Sequence, residues 1–352
     1  MSGGEKLFFS LNYASGQYID ECLDALPHAQ HTSHVSRSHT RTLIAVALIA
    51  ALLTALCAAA YAVGQLFSRG TRERLNADVV QQQELIEDGM ATVFDIAGNN
   101  MSVTVEGVTI TPLDVIADAN QAIITFAVDG FALNADEEPG FEAVLQDGDS
   151  DMNFSGGFVY TQPTDENGNF ISAPVYTDEK GRMECTLTFY PSREGDSLLG
   201  KTARVRFVNL GIAYKVSTAP IVYGEWAFEI PLPHESQTRD CFLNSPVGDT
   251  GFVVNKVTLS PLSVYITYFA PIDVQTSVDD LYIPMFEGVV LQDGTRRENI
   301  FSGGEEGYSA DTSGSAYAKS GLTQVIDPEA VVTLLFYRSS GDKQHAIEVP
   351  LS

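Results

Sequence analysis

The motif FEAVLQDG at residues 141–148, closed by Phe154-Ser-Gly-Gly157, returns as FEGVVLQDG at residues 286–294, closed by Phe301-Ser-Gly-Gly304. Two long motifs in one order mark a duplicated unit, and an internal repeat constrains architecture more than any single residue does. Other blocks extend it. VTITPL at 108–113 aligns with VTLSPL at 257–262, CTLTFYPS at 185–192 with VTLLFYRS at 332–339, and FEIPLP at 228–233 with IEVPLS at 347–352. The spacing is nearly constant until the last block arrives early, which puts an insertion in the first copy between Ser192 and Gly224.

Each copy reads as all-β. Met101, Val103 and Val105 alternate with polar neighbours, Val108 and Ile110 continue the pattern, and Val205, Phe207 and Leu210 nearly keep it. Asp147-Gly148, Gly156-Gly157, Asn167-Gly168, Asp293-Gly294 and Gly303-Gly304 supply turns between the runs. Short strands with regular turns predict two packed antiparallel sheets per copy. The expected fold class is therefore mainly β, with two tandem immunoglobulin-like β-sandwich domains at 93–233 and 234–352. Residues 65–92 are expected to form a stalk, because Thr71–Asp88 reads as one polar helix with Leu75, Val79 and Ile86 on one side.

Upstream, LIAVALIAALLTALCAAAYAV at 43–63 carries no charge. At about 1.5 Å of rise per residue it spans roughly 30 Å, the thickness of a hydrocarbon core, which predicts a transmembrane helix at 42–64. Ala60-Tyr61-Ala62 has the form of a signal-peptidase site, so a cleaved signal is the competing reading. The long leading segment and the length of the apolar run favour an uncleaved anchor. Residues 1–41 then form a cytoplasmic helical segment, and everything after the span is extracytoplasmic. Arg37 and Arg41 before the run face Arg69, Arg72 and Arg74 after it, so basic residues do not fix the orientation. The short side is placed inside because long domains translocate largely regardless of charge.

Of the formal net charge of −26, all but one unit falls after the apolar run. A domain that acidic is repelled by nucleic acid and by anionic membrane surfaces, which argues against DNA binding.

In the first segment, Ser2 and Glu5 make a capping pair before Leu7, Phe8 and Leu11. Tyr18, Ile19, Cys22, Leu23 and Leu26 recur at helical spacing until Pro27 stops the run. Such a hairpin cannot bury its apolar face alone; it either lies on the membrane or docks a cytoplasmic protein through those five residues. His28, His31, His34 and His39 crowd the juxtamembrane stretch. Without a paired-cysteine knuckle they read as a polar linker more readily than as a zinc site.

Beyond the span, Cys185 lies on a strand pattern opposite Val332 of the repeat, a core position for a free thiol. Cys241 falls between the copies, and a Cys185–Cys241 disulfide is the alternative. Asp147, Asp149, Asp151 and Asn153 alternate as a calcium loop does, but Met152 and Phe158 stand where that loop needs glycine and glutamate. A solvated turn is the better reading. Only His234 and His345 lie in the exterior, and neither belongs to a catalytic motif, so no enzyme activity, cofactor or resident metal is expected.

QYIDECLDALP at 17–27, AAAYAVGQLF at 58–67, NNMSVTVEGVTITPL at 99–113 and GEWAFEIPL at 224–232 give the chain its family likeness. It resembles the bacterial membrane-anchored, anti-sigma-factor-like proteins whose exterior is a domain of unknown function. That resemblance implies a regulator whose residues 1–41 hold a cytoplasmic sigma factor while the exterior senses a ligand or signal of unknown identity. The His-x-x-x-Cys-x-x-Cys motif of the zinc-containing members is absent. The alternative function is a membrane-anchored surface binding or adhesion module with no regulatory output.

Overall fold

The alternation read in the sequence becomes sheet in a computed structural model. It describes residues 66–94, 101–134, 136–148, 150–178, 180–191, 195–214, 217–270, 283–308, 314–337 and 346–351. The helices α1 (Arg69–Leu75) and α2 (Val79–Glu87) come first. Ten strands follow: β1 (Ala91–Val93), β2 (Val103–Val105), β3 (Val108–Ala117), β4 (Ala122–Asp129), β5 (Pro139–Asp147), β6 (Ser150–Asp151), β7 (Phe154–Phe158), β8 (Met183–Phe189), β9 (Thr202–Tyr214) and β10 (Ser217–Pro231). The second half holds β11 (Arg239–Pro246), β12 (Val253–Leu259), β13 (Ser263–Phe269), β14 (Met285–Leu291), β15 (Arg296–Arg297), β16 (Phe301–Tyr308), β17 (Ser315–Leu322), β18 (Val331–Tyr337) and β19 (Ile347–Pro350). The described residues are mainly β, arranged in four antiparallel sheets.

Strand order repeats. One sheet of the first half runs β1-β3-β4-β8-β7, with β2 also on β3, and the other runs β10-β9-β5-β6. The second half runs β11-β12-β13-β17-β16 and β15-β14-β18-β19. Each pair of sheets encloses its own apolar core. Phe126 of β4 meets Phe207 of β9 edge to face at 5.1 Å in the first. Phe286 and Phe336 meet in the same manner in the second.

β10 shows how the pattern makes the layer. Trp226, Phe228 and Ile230 turn inward, and on the other face Glu225 and Glu229 meet solvent beside Arg206 and Arg204. The Trp226 indole Nε1 donates to the Val108 carbonyl at 3.0 Å, satisfying the one polar atom that its burial removes from water.

β3 and β4 depart from alternation because both their faces are covered. The face away from the first core carries Ile116 and Ile123, which pack with Leu75, Leu85 and Met90 of the helical segment and with Leu262 and Val325 of the second half. The two halves also meet through equivalent hairpin turns. Asp118–Gln121 joins β3 to β4 and Ser260–Ser263 joins β12 to β13, each closed by a 2.9 Å backbone bond. The Asp118 carboxylate accepts from the hydroxyls of Ser260 and Ser263, and also from its own turn's Asn120 and Gln121 amides at 2.7 Å.

Several expectations are corrected. CTLTFYPS lies in β8 and VTLLFYRS in β18, which occupy different positions in their halves; the counterpart of β18 is β9. VTITPL opens β3, whereas VTLSPL runs from β12 into the turn. The extra length of the first copy is divided between residues 159–182, against 309–314 in the second half, and the longer β9–β10 hairpin. Cys185 and Cys241 are free thiols in separate cores, and the opposite of Cys185 is not Val332. The described part of the expected stalk, residues 66–92, does not stand free. They form two helices, broken where Asn76 takes a φ of 42°, and they contribute Leu75 and Leu85 to a core shared with both halves.

Among the described residues no helix is long and apolar enough to cross a membrane. The predicted span at 42–64 lies outside them, as do residues 1–41.

Candidate functional site

α1 starts where Ser68 leaves the extended conformation and its hydroxyl accepts from the Thr71 amide at 3.3 Å. Two further amides at this helix start, those of Ser68 and Gly70, are satisfied by the sheet beneath. Asp114 of β3 accepts from the Ser68 amide at 2.6 Å and from the Thr71 hydroxyl at 2.5 Å. Glu184 of β8 accepts from the Gly70 amide at 2.9 Å. Both carboxyls are buried, 0% and 5% exposed, so the start of the helix is seated on two acids that water does not reach. Burial raises the Asp114 pKa to about 6, against the lowering effect of its bonds from Thr71 and Ser68.

Gly70 makes this seating possible. A Cβ there would stand 2.5 Å from the Thr186 hydroxyl and 2.9 Å from a Val159 methyl. The helix thereby lies close on the outer face of the sheet, and a cleft of about 600 Å³ opens between it and strand β7. Ser155, Gly157, Thr186 and Thr188 form the floor, Glu73 and Arg74 one wall, and Tyr160 with Gln162 the other. The run Ser155–Tyr160 lines the cleft without interruption.

Residues 159–182 leave β7 as an irregular hairpin arm. Thr161 and Val175 exchange backbone bonds at 2.8 and 2.9 Å, and Asp165 closes the tip by accepting from the amides of Asn167 and Asn169. Arg69 of α1 holds the base of this arm by donating from Nη2 to the carbonyls of Val159 and Tyr176, at 2.9 and 3.1 Å. Beyond that base the arm presents Phe170 and Ile171 to solvent, 76% and 64% exposed.

Hydroxyls of Ser155, Tyr160, Thr186 and Thr188 line the cleft together with the Glu73 carboxylate and the Arg74 guanidinium, and no cluster of three metal-ligating groups occurs among the described residues. Burial raises the Glu73 pKa, offset by the Arg69 guanidinium 4.0 Å away. Arg74 donates from Nη2 to the Ser302 carbonyl at 3.1 Å, while its Nε is buried with no hydrogen-bond partner among the described residues.

Tyr18, Ile19, Cys22, Leu23 and Leu26 lie outside the described residues, with His28, His31, His34, His39 and Ala60-Tyr61-Ala62. Of the acidic loop, Asp147 is held by Lys201 Nζ at 2.5 Å and Asp151 by Gln146 Nε2 at 2.8 Å. In the second half Asp293 accepts from the Thr295 amide at 2.8 Å. None of the residues that line the cleft was singled out for binding from the sequence. The one legible signal was the glycine pair of the repeated FSGG motif, which read only as a turn; both copies are strand.

No family model matches this chain. No curated protein matches it. Among solved structures it is matched to one described as the crystal structure of the conserved domain protein from Bacillus anthracis. The identity is 15% and the TM-score 0.45, with 75% of this chain and 87% of that chain covered.

Proposed function

We propose that this chain is a single-pass membrane protein, an anti-sigma-factor-like regulator that couples an exterior ligand site to a cytoplasmic partner. In this reading residues 1–41 are cytoplasmic, 42–64 cross the membrane, and the exterior holds two tandem immunoglobulin-like sandwiches. The observation that supports it is the placement of the cleft. Its wall is α1, the first helix after the apolar run, and α1 is seated on Asp114 and Glu184 instead of hanging free. In this reading a ligand in the cleft acts on the helix that follows the apolar run in sequence, and binding energy at the site is available to shift that helix.

The partner contact falls to Tyr18, Ile19, Cys22, Leu23 and Leu26, in the helix-in-groove mode. The test is co-purification of the full chain with cytosolic proteins. A transcription factor is expected, and Ile19→Asp with Leu23→Asp abolishes its recovery. Recovery of no such protein overturns the regulatory reading.

The exposed Phe170 and Ile171 on the arm favour a second reading, a surface binding module without regulatory output. Removing residues 1–41 separates the two: a phenotype that survives the deletion belongs to the binding module.

A further inference from the structure

Among the described strands β7 is an outer one, with no strand paired along its far side. The Val159 amide donates to the Glu184 carbonyl at 2.8 Å, and in an antiparallel ladder the inward-facing residues alternate. Ser155 and Gly157 thus face β8, and the backbone N–H and C=O of Gly156 and Phe158 face outward. Proteins commonly blunt such edges with charge or proline. Here the equivalent strand β16 carries Glu305 and Glu306, β10 carries Glu225 and Glu229, and β11 and β19 each carry charge and proline. β7 reads Phe-Ser-Gly-Gly-Phe and has neither; among the outer strands only the three-residue β1 and β2 are as bare.

The two glycines of β7 differ in what constrains them. A Cβ on Gly156 would stand 2.6 Å from Leu187 and 2.9 Å from the Thr186 carbonyl, so packing demands that glycine. A Cβ on Gly157 would meet nothing within 4 Å, and its φ is not positive. Gly304, which aligns with Gly157 in the repeated motif, follows a bulge and pairs with Ser320, on the face that Ala318 and Leu322 turn to the second core; its constraint, a Cβ colliding with the Lys319 carbonyl, is like that of Gly156. Gly157 therefore keeps open a space that the fold itself does not use, on the floor of the cleft that runs along this edge.

We infer that the cleft takes an extended peptide segment of a partner protein, added as a strand to the free edge of β7. The inference rests on the reading of the cleft as a ligand site and names the ligand class. Gly156 and Phe158 supply the backbone pairing, and the clearance at Gly157 admits the incoming chain. The strongly acidic exterior steers a segment of net positive charge toward the site.

The experiment pans a random heptapeptide phage library against the full chain in detergent micelles, with Gly157→Phe and Ser155→Lys chains as counter-targets. Gly157→Phe fills the cleft from a position where the fold leaves room, and Ser155→Lys restores the kind of charge that guards other edges. Lysine-containing peptides are expected to be enriched, to bind wild type at least about tenfold more tightly than either variant, and to slow amide exchange at Gly156 and Phe158. Unchanged melting temperatures show that the variants fold. Absence of enrichment, peptides that bind all three chains equally, or peptide binding without amide protection at Gly156 and Phe158 each overturns the inference. None of these results depends on residues 1–41, so the regulatory reading stands or falls separately.

Discussion

Asp114 shows how one buried acid makes the seating of a helix responsive to protons. Its carboxyl is wholly buried and its pKa rises from 3.8 to about 6, chiefly because burial disfavours the charged form. The folded state thus binds a proton more tightly than the unfolded chain does. The stabilisation this gives is fully present below the unfolded value and is lost as pH rises through about 6. The shift corresponds to about 3 kcal/mol between those limits. Asp118, also raised by burial, contributes with the same sign. Stability from urea titrations is therefore expected to increase from pH 7 to pH 4.5, and Asp114→Asn to flatten that slope. An equally steep slope in Asp114→Asn would place the proton uptake elsewhere. Neither aspartate was legible as special in the sequence. Asp114 falls in a β pattern and Asp118 in a turn, and a lone sequence does not reveal which carboxyls lose contact with water.

Helix α1 belongs to a scale at which the sequence was half readable. The polar helical character of Thr71–Asp88 and the importance of Leu75 were legible. Asp78 and Gln81, which form a capping box in the structure, mark the interruption, but the apolar spacing of Leu75, Val79 and Ile86 runs across it. What the helix packs against depended on residues far along the chain, Asp114 and Glu184, and no local period reports such partners. Glycines test the packing directly. Gly70→Ala forces a Cβ into Thr186, Val159 and Thr125, and Gly156→Ala into Leu187; overpacking of this kind costs about 1–3 kcal/mol. Gly157→Ala, in open space, is expected to be neutral or to stabilise by up to about 1 kcal/mol through the unfolded chain. Thermal melts of the three variants check the order. A Gly157→Ala melt as low as that of Gly70→Ala would mean that the cleft floor is closed.

For the molecule as a whole, the duplicated order of strands explains which sequence matches were sound. FEAVLQDG with FSGG and FEIPLP fall on corresponding strands because those segments keep the same neighbours in both halves. CTLTFYPS and VTLLFYRS are alike only because two buried strands of different sheets make the same apolar demand. The added lengths in the first half carry Tyr160, Phe170, Ile171 and Val175 on the arm and Tyr214, Ile221 and Tyr223 on the long hairpin, most of the exposed large apolar side chains. Exposed apolar surface lies where the copies differ, while the copies are joined where they correspond. The Asp118–Ser260–Ser263 bonds and the apolar cluster of Leu75, Leu85, Ile116, Ile123, Leu262 and Val325 tie the halves together. That junction predicts a single unfolding transition for the folded part. Trp226, the chain's one tryptophan, is buried in the first core, so its fluorescence reports that half, whereas far-ultraviolet dichroism reports both. The two urea curves are expected to coincide in wild type. Asp118→Ala strands two hydroxyls and two amides in the junction and costs on the order of 3 kcal/mol. It is expected to separate the tryptophan curve from the dichroism curve. Curves already separate in wild type would show that the halves unfold independently and that the junction carries no cooperativity.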